Sequence, residues 1–189
     1  MNSLVHIYCG DGKGKTTAAM GLAIRAAGSG AAVVIARFLK NDDSGEVGVL
    51  KTIPGIHLLA CERRFGFTWT MSPEEKKEAG EYYTGLFKRA WELACGLVRR
   101  QGEEQRENGA SGVRALLVLD EIMAAVNGGF VAEQLVTGAL DHRPEGLEVA
   151  LTGRSPSEGF IFRADYVTEM RAVKHPYEKG VGARKGVEY

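Results

Sequence analysis

Apolar residues along the chain fall into short unbroken runs that alternate with stretches of helical spacing. Leu4 to Cys9 reads as a buried strand that ends in a glycine-rich turn. From Lys15 or Thr16 to Ala27 the residues are mostly helix formers, apolar nearly all round, and Gly28 is a natural stop. Ala32 to Leu39 is a second buried strand, Lys40 to Gly48 reads as a polar loop, and Ile56 to Cys61 is a third strand. Arg63 to Met71 is irregular and aromatic. Ser72-Pro73-Glu74-Glu75 then announces a helix: Ser72 can cap it, Pro73 fits its first turn and Glu75 completes a capping box. Apolar positions at Ala79, Tyr83, Leu86, Ala90, Leu93 and Leu97 step by four and three, which makes one face of a long amphipathic helix. Arg99 to Gly112 is charged and carries glycine, and is expected to be an exposed connection.

Val113 to Leu119 is the next buried strand, closed by Asp120-Glu121. A helix from Phe130 to Leu140 and a strand from Leu147 to Leu151 follow. Ser155-Pro156-Ser157-Glu158 repeats the capping-box signature before another helix, and Tyr166 to Met170 reads as a last strand. The tail from Lys174 to Tyr189 is polar and glycine-rich. Strand and helix alternate throughout, which implies an α/β fold: a mainly parallel central sheet of about six strands flanked by helices.

Composition narrows this reading. The length of 189 residues suits one domain spanning residues 1–189. Lys plus Arg equals Asp plus Glu at 24 each, so a polyanion-binding surface is not the expected business and no nucleic-acid partner is expected. Three cysteines, Cys9, Cys61 and Cys95, lie far apart with no paired spacing. Buried, reduced thiols in a cytoplasmic protein are expected, with neither a disulfide framework nor a zinc site. No run of apolar residues reaches membrane-spanning length.

The chemistry enters with Gly10-Asp11-Gly12-Lys13-Gly14-Lys15-Thr16-Thr17, between a strand and a helix. Backbone N–H groups of such a loop converge on phosphate oxygens, and the following helix adds the positive end of its dipole. Lys15 supplies a mobile charge, and Thr16 places a hydroxyl where Mg2+ would sit beside a nucleotide triphosphate, ATP first among them. The strict pattern asks for glycine five residues before Gly14, where this chain has Cys9. Leu116 to Leu119 leads to Asp120-Glu121 at a strand end, the usual place for an acid beside that metal. Glu121 is expected to approach the metal and Asp120 to support it by hydrogen bonding. Together these elements point to a P-loop NTPase fold of RecA-like type.

A phosphate loop says which ligand binds and not what is done with it. The segment Arg64-Phe65-Gly66-Phe67-Thr68-Trp69 places three aromatic residues on a loop before a helix. From composition alone it reads as a hydrophobic lid over the core. Taken with the phosphate loop, the Leu119-Asp120-Glu121 strand end, Thr152-Gly153-Arg154, Ala164-Asp165 to Glu169 and Val173-Lys174-His175-Pro176-Tyr177 to Gly180, it resembles the ATP:corrinoid adenosyltransferases of cobalamin biosynthesis and salvage. The likeness runs from Leu4 to Tyr189, with motif order and approximate spacing kept.

The resemblance implies transfer of the 5′-deoxyadenosyl group of ATP to the cobalt(I) of a corrinoid, with triphosphate leaving intact. It implies that Phe67 and Trp69 displace the axial ligand of cobalt(II), so that an electron donor such as a reduced flavoprotein can reduce it. Lys15, Thr16 and Mg2+ would then stabilise the leaving triphosphate. Arg154 would approach phosphate or a corrinoid carboxylate, or form a surface ion pair; Lys174 and His175 read as structural. The resemblance further implies a homodimer. Many family members carry an N-terminal extension that covers the partner's active site, and this chain is expected to lack that lid. Two other readings of the phosphate loop stand beside this one: a phosphotransferase acting on a nucleoside or small metabolite, and a RecA-like nucleotide-dependent binding module.

Overall fold

The computed structural model describes residues 3–40, 42–61, 63, 65–66, 70–108 and 113–188. Among them run six strands: β1 (Val5–Cys9), β2 (Ala32–Arg37), β3 (Ile56–Leu58), β4 (Ala115–Asp120), β5 (Leu147–Thr152) and β6 (Tyr166–Glu169). They form one sheet in the order β3-β2-β4-β5-β1-β6, and every pairing is parallel. The helices are α1 (Lys15–Gly28), α2 (Gly45–Leu50), α3 (Pro73–Asn108), α4 (Ile122–Asn127), α5 (Glu133–Asp141) and α6 (Glu158–Arg163).

Unbroken apolar strands follow from burial on both faces. Val33, Ile35, Leu116, Val118 and Ala150 turn to one side, against Ala19, Met20 and Ala23 of α1. Val34, Ala36, Leu117, Leu119, Val149 and Leu151 turn to the other, against Tyr83, Leu86, Phe87, Ala90 and Ala94 of α3. The expected face of α3 is the buried one, and its capping box is formed. The Ser72 N–H donates to Glu75 Oε2 at 2.7 Å, and the Glu75 N–H donates to Ser72 Oγ at 3.2 Å.

Several sequence expectations are corrected. Lys40 to Gly48 is not wholly a loop, because α2 starts at Gly45; Val47 and Leu50, three apart, bury its inner face behind two glycines that disguise it. The stretch expected as a connection, Arg99 to Gly112, is helical as far as Asn108, where α3 ends, and residues 109–112 lie outside the described residues. Arg, Gln and Glu are good helix formers, and charge alone does not stop a helix. The segment also has work against the body: Gln101 Nε2 donates to the Gly30 carbonyl at 3.2 Å. Helix α4 directly after Glu121 is an addition, and α5 begins at Glu133, with Phe130 and Val131 buried in the turn before it. The cap of α6 is Ser157, whose Oγ accepts from the Phe160 N–H, and not Ser155. Strands β2 and β3 end earlier than expected, at Arg37 and Leu58. Only Cys9 is buried; Cys61 and Cys95 are partly exposed, and all three are free.

Parallel pairing aligns the carboxyl ends of the strands. Tyr8 of β1 lies beside Thr152 of β5, and Arg37 of β2 beside Asp120 of β4. Ligands of open parallel sheets bind at this edge. Leu117 lies fully buried in a central strand. Leu117→Ala is expected to lower stability by about 2–5 kcal/mol, against about 1 kcal/mol for loss of the exposed cap in Ser72→Ala. Urea unfolding followed by circular dichroism measures both, and equal losses would contradict this placement of the core.

Candidate active site

The loop after β1 is shaped by the protein's own backbone. Gly10 has φ 101° and Gly14 has φ 116°, both in the region that favours glycine. Gly14 is the N-cap of α1, so the helix starts at Lys15 with its first N–H groups aimed at the loop. The segment that follows β6 braces the other side: the Gly12 N–H donates to the Met170 carbonyl at 2.6 Å, and the Met170 N–H donates to the Cys9 carbonyl at 2.8 Å. A Cβ on Gly12 would fall 2.6 Å from the Met170 oxygen, and one on Gly10 would collide with the same atom. Asp11 Oδ1 accepts from the Ala172 N–H at 3.0 Å, and this bond holds its carboxyl below the usual range.

Lys15 is buried, and its Nζ donates to the Gly12 carbonyl at 2.8 Å across the loop. Burial pushes its pKa down; the Glu121 carboxylate opposes that shift, and the Arg154 guanidinium adds to it. Lys13 and Thr17 are exposed. Gly12, Lys13, Gly14, Lys15, Thr16, Thr17 and Asp11 line a cleft of about 210 Å³ together with Glu121, Arg154 and His175.

Behind that cleft the two carboxylates divide. Asp120 is fully buried, and both of its oxygens are engaged. Thr16 Oγ1 donates to Asp120 Oδ1 at 2.9 Å, Thr152 Oγ1 donates to the same oxygen at 2.7 Å, and Lys40 Nζ donates to Oδ2 at 2.7 Å. Lys40 Nζ also donates to Thr16 Oγ1 at 2.7 Å. Glu121 instead takes a left-handed φ of 61° at the start of α4, where its N–H donates to Thr152 Oγ1 at 2.9 Å and its side chain faces the cleft. Gly153 makes that approach possible, since a Cβ there would lie 2.6 Å from the Met123 Cβ. Among the described residues no group of three or more His, Cys, Asp or Glu side chains could hold a metal ion by itself. The donors present are hard oxygens of Thr16 and a carboxylate, the set that suits Mg2+ when phosphate oxygens and waters complete the shell.

The family model for ATP:corrinoid adenosyltransferase BtuR/CobO/CobP matches residues 1–189. The chain belongs to this family.

Within it, the chain is 32% identical over 187 residues to the corrinoid adenosyltransferase of Pseudomonas aeruginosa, covering 97% of this chain and 82% of that one. It is also 32% identical over 187 residues to corrinoid adenosyltransferase CobA of Salmonella typhimurium, covering 98% and 85% of the two chains. Among solved structures, EssC (ATPases 2 and 3) from Geobacillus thermodenitrificans matches with a TM-score of 0.51 at 14% identity, over 98% of this chain and 36% of that chain. That likeness concerns the fold alone, and it agrees with the P-loop architecture.

For this adenosyltransferase chain, Gly10 to Thr17, Asp120, Glu121 and Arg154 come together at one sheet edge. Phe67 and Trp69 lie outside the described residues. Phe65, from the same aromatic segment, packs its ring 5.6 Å from both Tyr82 and Tyr83. His175 Nδ1 accepts from the Tyr177 N–H at 3.3 Å and caps the single helical turn Pro176–Lys179, a structural task. Sequence reasoning missed Lys40 and did not give Thr152 its task. The usable signal was that each is a polar residue at or just beyond the carboxyl end of an apolar strand neighbouring the acid's strand. Thr152→Val leaves the Glu121 N–H without this acceptor and removes one of the two hydroxyl donors to Asp120 Oδ1, and is expected to cost about 1–3 kcal/mol, whereas Thr152→Ser stays close to the parent. Chemical denaturation compares them, and a neutral Thr152→Val would contradict the network.

Proposed function

We propose that this chain transfers the 5′-deoxyadenosyl group of ATP to the cobalt(I) of a corrinoid and releases triphosphate. The observation that carries the reading is the family match along residues 1–189, with the phosphate loop, the acid pair and the strand-end threonine all inside it. The reaction balances without a protein nucleophile. The cobalt(I) electron pair attacks C5′, the C5′–O bond breaks, and triphosphate leaves with that bond's electrons. The protein's share is then to hold the triphosphate, orient C5′ and exclude water.

The loop N–H groups, the start of α1 and Lys15 are assigned to the triphosphate, and Arg154 to an anionic group at the mouth of the cleft. We assign Mg2+ to Thr16 and Glu121, with Asp120 in support. The buried, fully hydrogen-bonded state of Asp120 and the cleft-facing side chain of Glu121 favour that division. When bound, the ion neutralises charge on the leaving triphosphate. Phe67 and Trp69 are proposed to press against the corrinoid face and keep cobalt(II) four-coordinate, which eases its reduction by an external donor such as a reduced flavoprotein. Action as a homodimer in the cytoplasm completes the reading. No helix among the described residues is long and apolar enough to cross a membrane.

Incubation of the protein with ATP and a chemically reduced corrinoid tests the proposal. The expected result is a cobalt–carbon bond, seen as a change in the visible spectrum, with one triphosphate per turnover. Formation of ADP and a phosphorylated acceptor would overturn it. Lys15→Ala is expected to lower kcat/KM by about 10²–10³-fold, as the loss of one preorganised contact to developing charge does. Trp69→Ala is expected to harm turnover from cobalt(II) much more than turnover from preformed cobalt(I). Equal losses in the two assays would count against an axial-ligand role.

A further inference from the structure

Lys40 sits in the site without a role in the assignments above. Its Nζ bridges Thr16 Oγ1 and Asp120 Oδ2, each at 2.7 Å. An ammonium carries three donors, and among the described residues these two acceptors use two of them. The side chain is 25% exposed, and it lines a groove of about 930 Å³ next to Thr16, Thr17, Met20 and Glu46. Part of the charge is thus anchored and the rest faces this groove, which adjoins the phosphate cleft at Thr16 and Thr17.

The backbone that delivers Lys40 is held from several directions. Leu39 takes φ 54°, a left-handed conformation that is uncommon for a residue with a Cβ and turns the chain sharply at the end of β2. The Phe38 N–H donates to the Asp120 carbonyl at 2.8 Å, and Cys61 Sγ donates to the Lys40 carbonyl at 2.6 Å. Arg37, only 1% exposed, donates from Nη2 to Ser44 Oγ at 2.9 Å, and its Nη1 lies 3.5 Å from Asp42 Oδ1. A lysine that only neutralised Asp120 would need none of this, since a four-carbon stem finds its partner from many backbone positions.

We propose that Lys40 is a second cationic contact for the bound nucleotide, its third N–H given to a triphosphate oxygen, with Asp120 acting as the positioning residue that aims it. Lys15 then grips the triphosphate from within the loop and Lys40 from the β2 side, beside Thr16. This inference rests on the reading of the loop as an ATP site.

Calorimetric titration of ATP and adenosine into the full chain, in Mg2+ and in EDTA, tests it. Lys40→Met is expected to weaken ATP binding by about tenfold or more in both media, the size of a lost charge-assisted contact, and to leave adenosine affinity unchanged. Lys40→Arg is expected to keep most of the ATP affinity. The double variant Lys40→Met/Asp120→Asn restores the balance of buried charge, so it controls for folding, and its ATP affinity is expected to stay low. Unchanged ATP affinity in Lys40→Met, or recovery in the double variant, would leave Lys40 as a neutraliser of Asp120 alone and overturn the inference. Parent protein that binds no ATP in either medium would instead remove the nucleotide reading of the loop, and this inference with it.

Discussion

One buried carboxylate ties this site together. Asp120 has no exposed surface, and an ionised group taken out of water costs several kcal/mol unless it is paired and hydrogen-bonded. The chain meets that demand with groups from three other places: Thr16 from the start of α1, Thr152 from the end of β5 and Lys40 from beyond β2. Each of those elements must end at the same level as β4 for its polar group to reach. The parallel register does this, pairing Arg37 with Asp120 and Leu119 with Leu151. The acid thus fixes the relative height of four elements, and the phosphate loop inherits a fixed position from the helix that carries Thr16.

The loop has a second constraint that owes nothing to a ligand. The exposed edge strand β6 delivers Met170 against Gly10 and Gly12, close enough that neither position tolerates a Cβ. Glycine in such loops is usually explained by approach to phosphate. Here the backbone of Met170 supplies an independent reason, so the loop's curvature is built before any nucleotide arrives. A preorganised cradle spends less binding energy on ordering itself.

The fold was legible wherever burial imposes a period. Strands buried on both faces read as unbroken apolar runs, and α3 shows its inner face at steps of four and three. Legibility failed where the deciding contact is tertiary. Helix α2 is short and carries Gly45 and Gly48, and the packing of Val47 and Leu50 that holds it is tertiary. The last turns of α3 looked like a linker because charge was taken for irregularity. At the site, Gly10 to Thr17 and the acid pair were legible because local spacing defines them. Lys40 was not: its partners Thr16 and Asp120 are 24 and 80 residues away, and no local pattern connects them. The same holds for Thr152, whose hydroxyl matters only because β5 lies between β1 and β4.

The arrangement also bears on why a phosphate loop can serve a reaction at carbon. A phosphoryl-transfer site must place a base and an acceptor at the terminal phosphate, whereas displacement at C5′ asks only that the whole triphosphate become a better leaving group. That requirement is met by positive charge spread along the chain of phosphates and shielded from water, where each Coulomb contact is worth more. Lys15 is buried at the price of a depressed pKa, with Glu121 drawing it back up. A cation held in that state gains from a polyanion what burial took away, and it gains most when the departing oxygen acquires its full charge. Under the proposed reaction, binding and bond breaking draw on the same groups, and the stabilisation grows along the reaction coordinate, which is the condition for an interaction to accelerate chemistry beyond tightening the substrate.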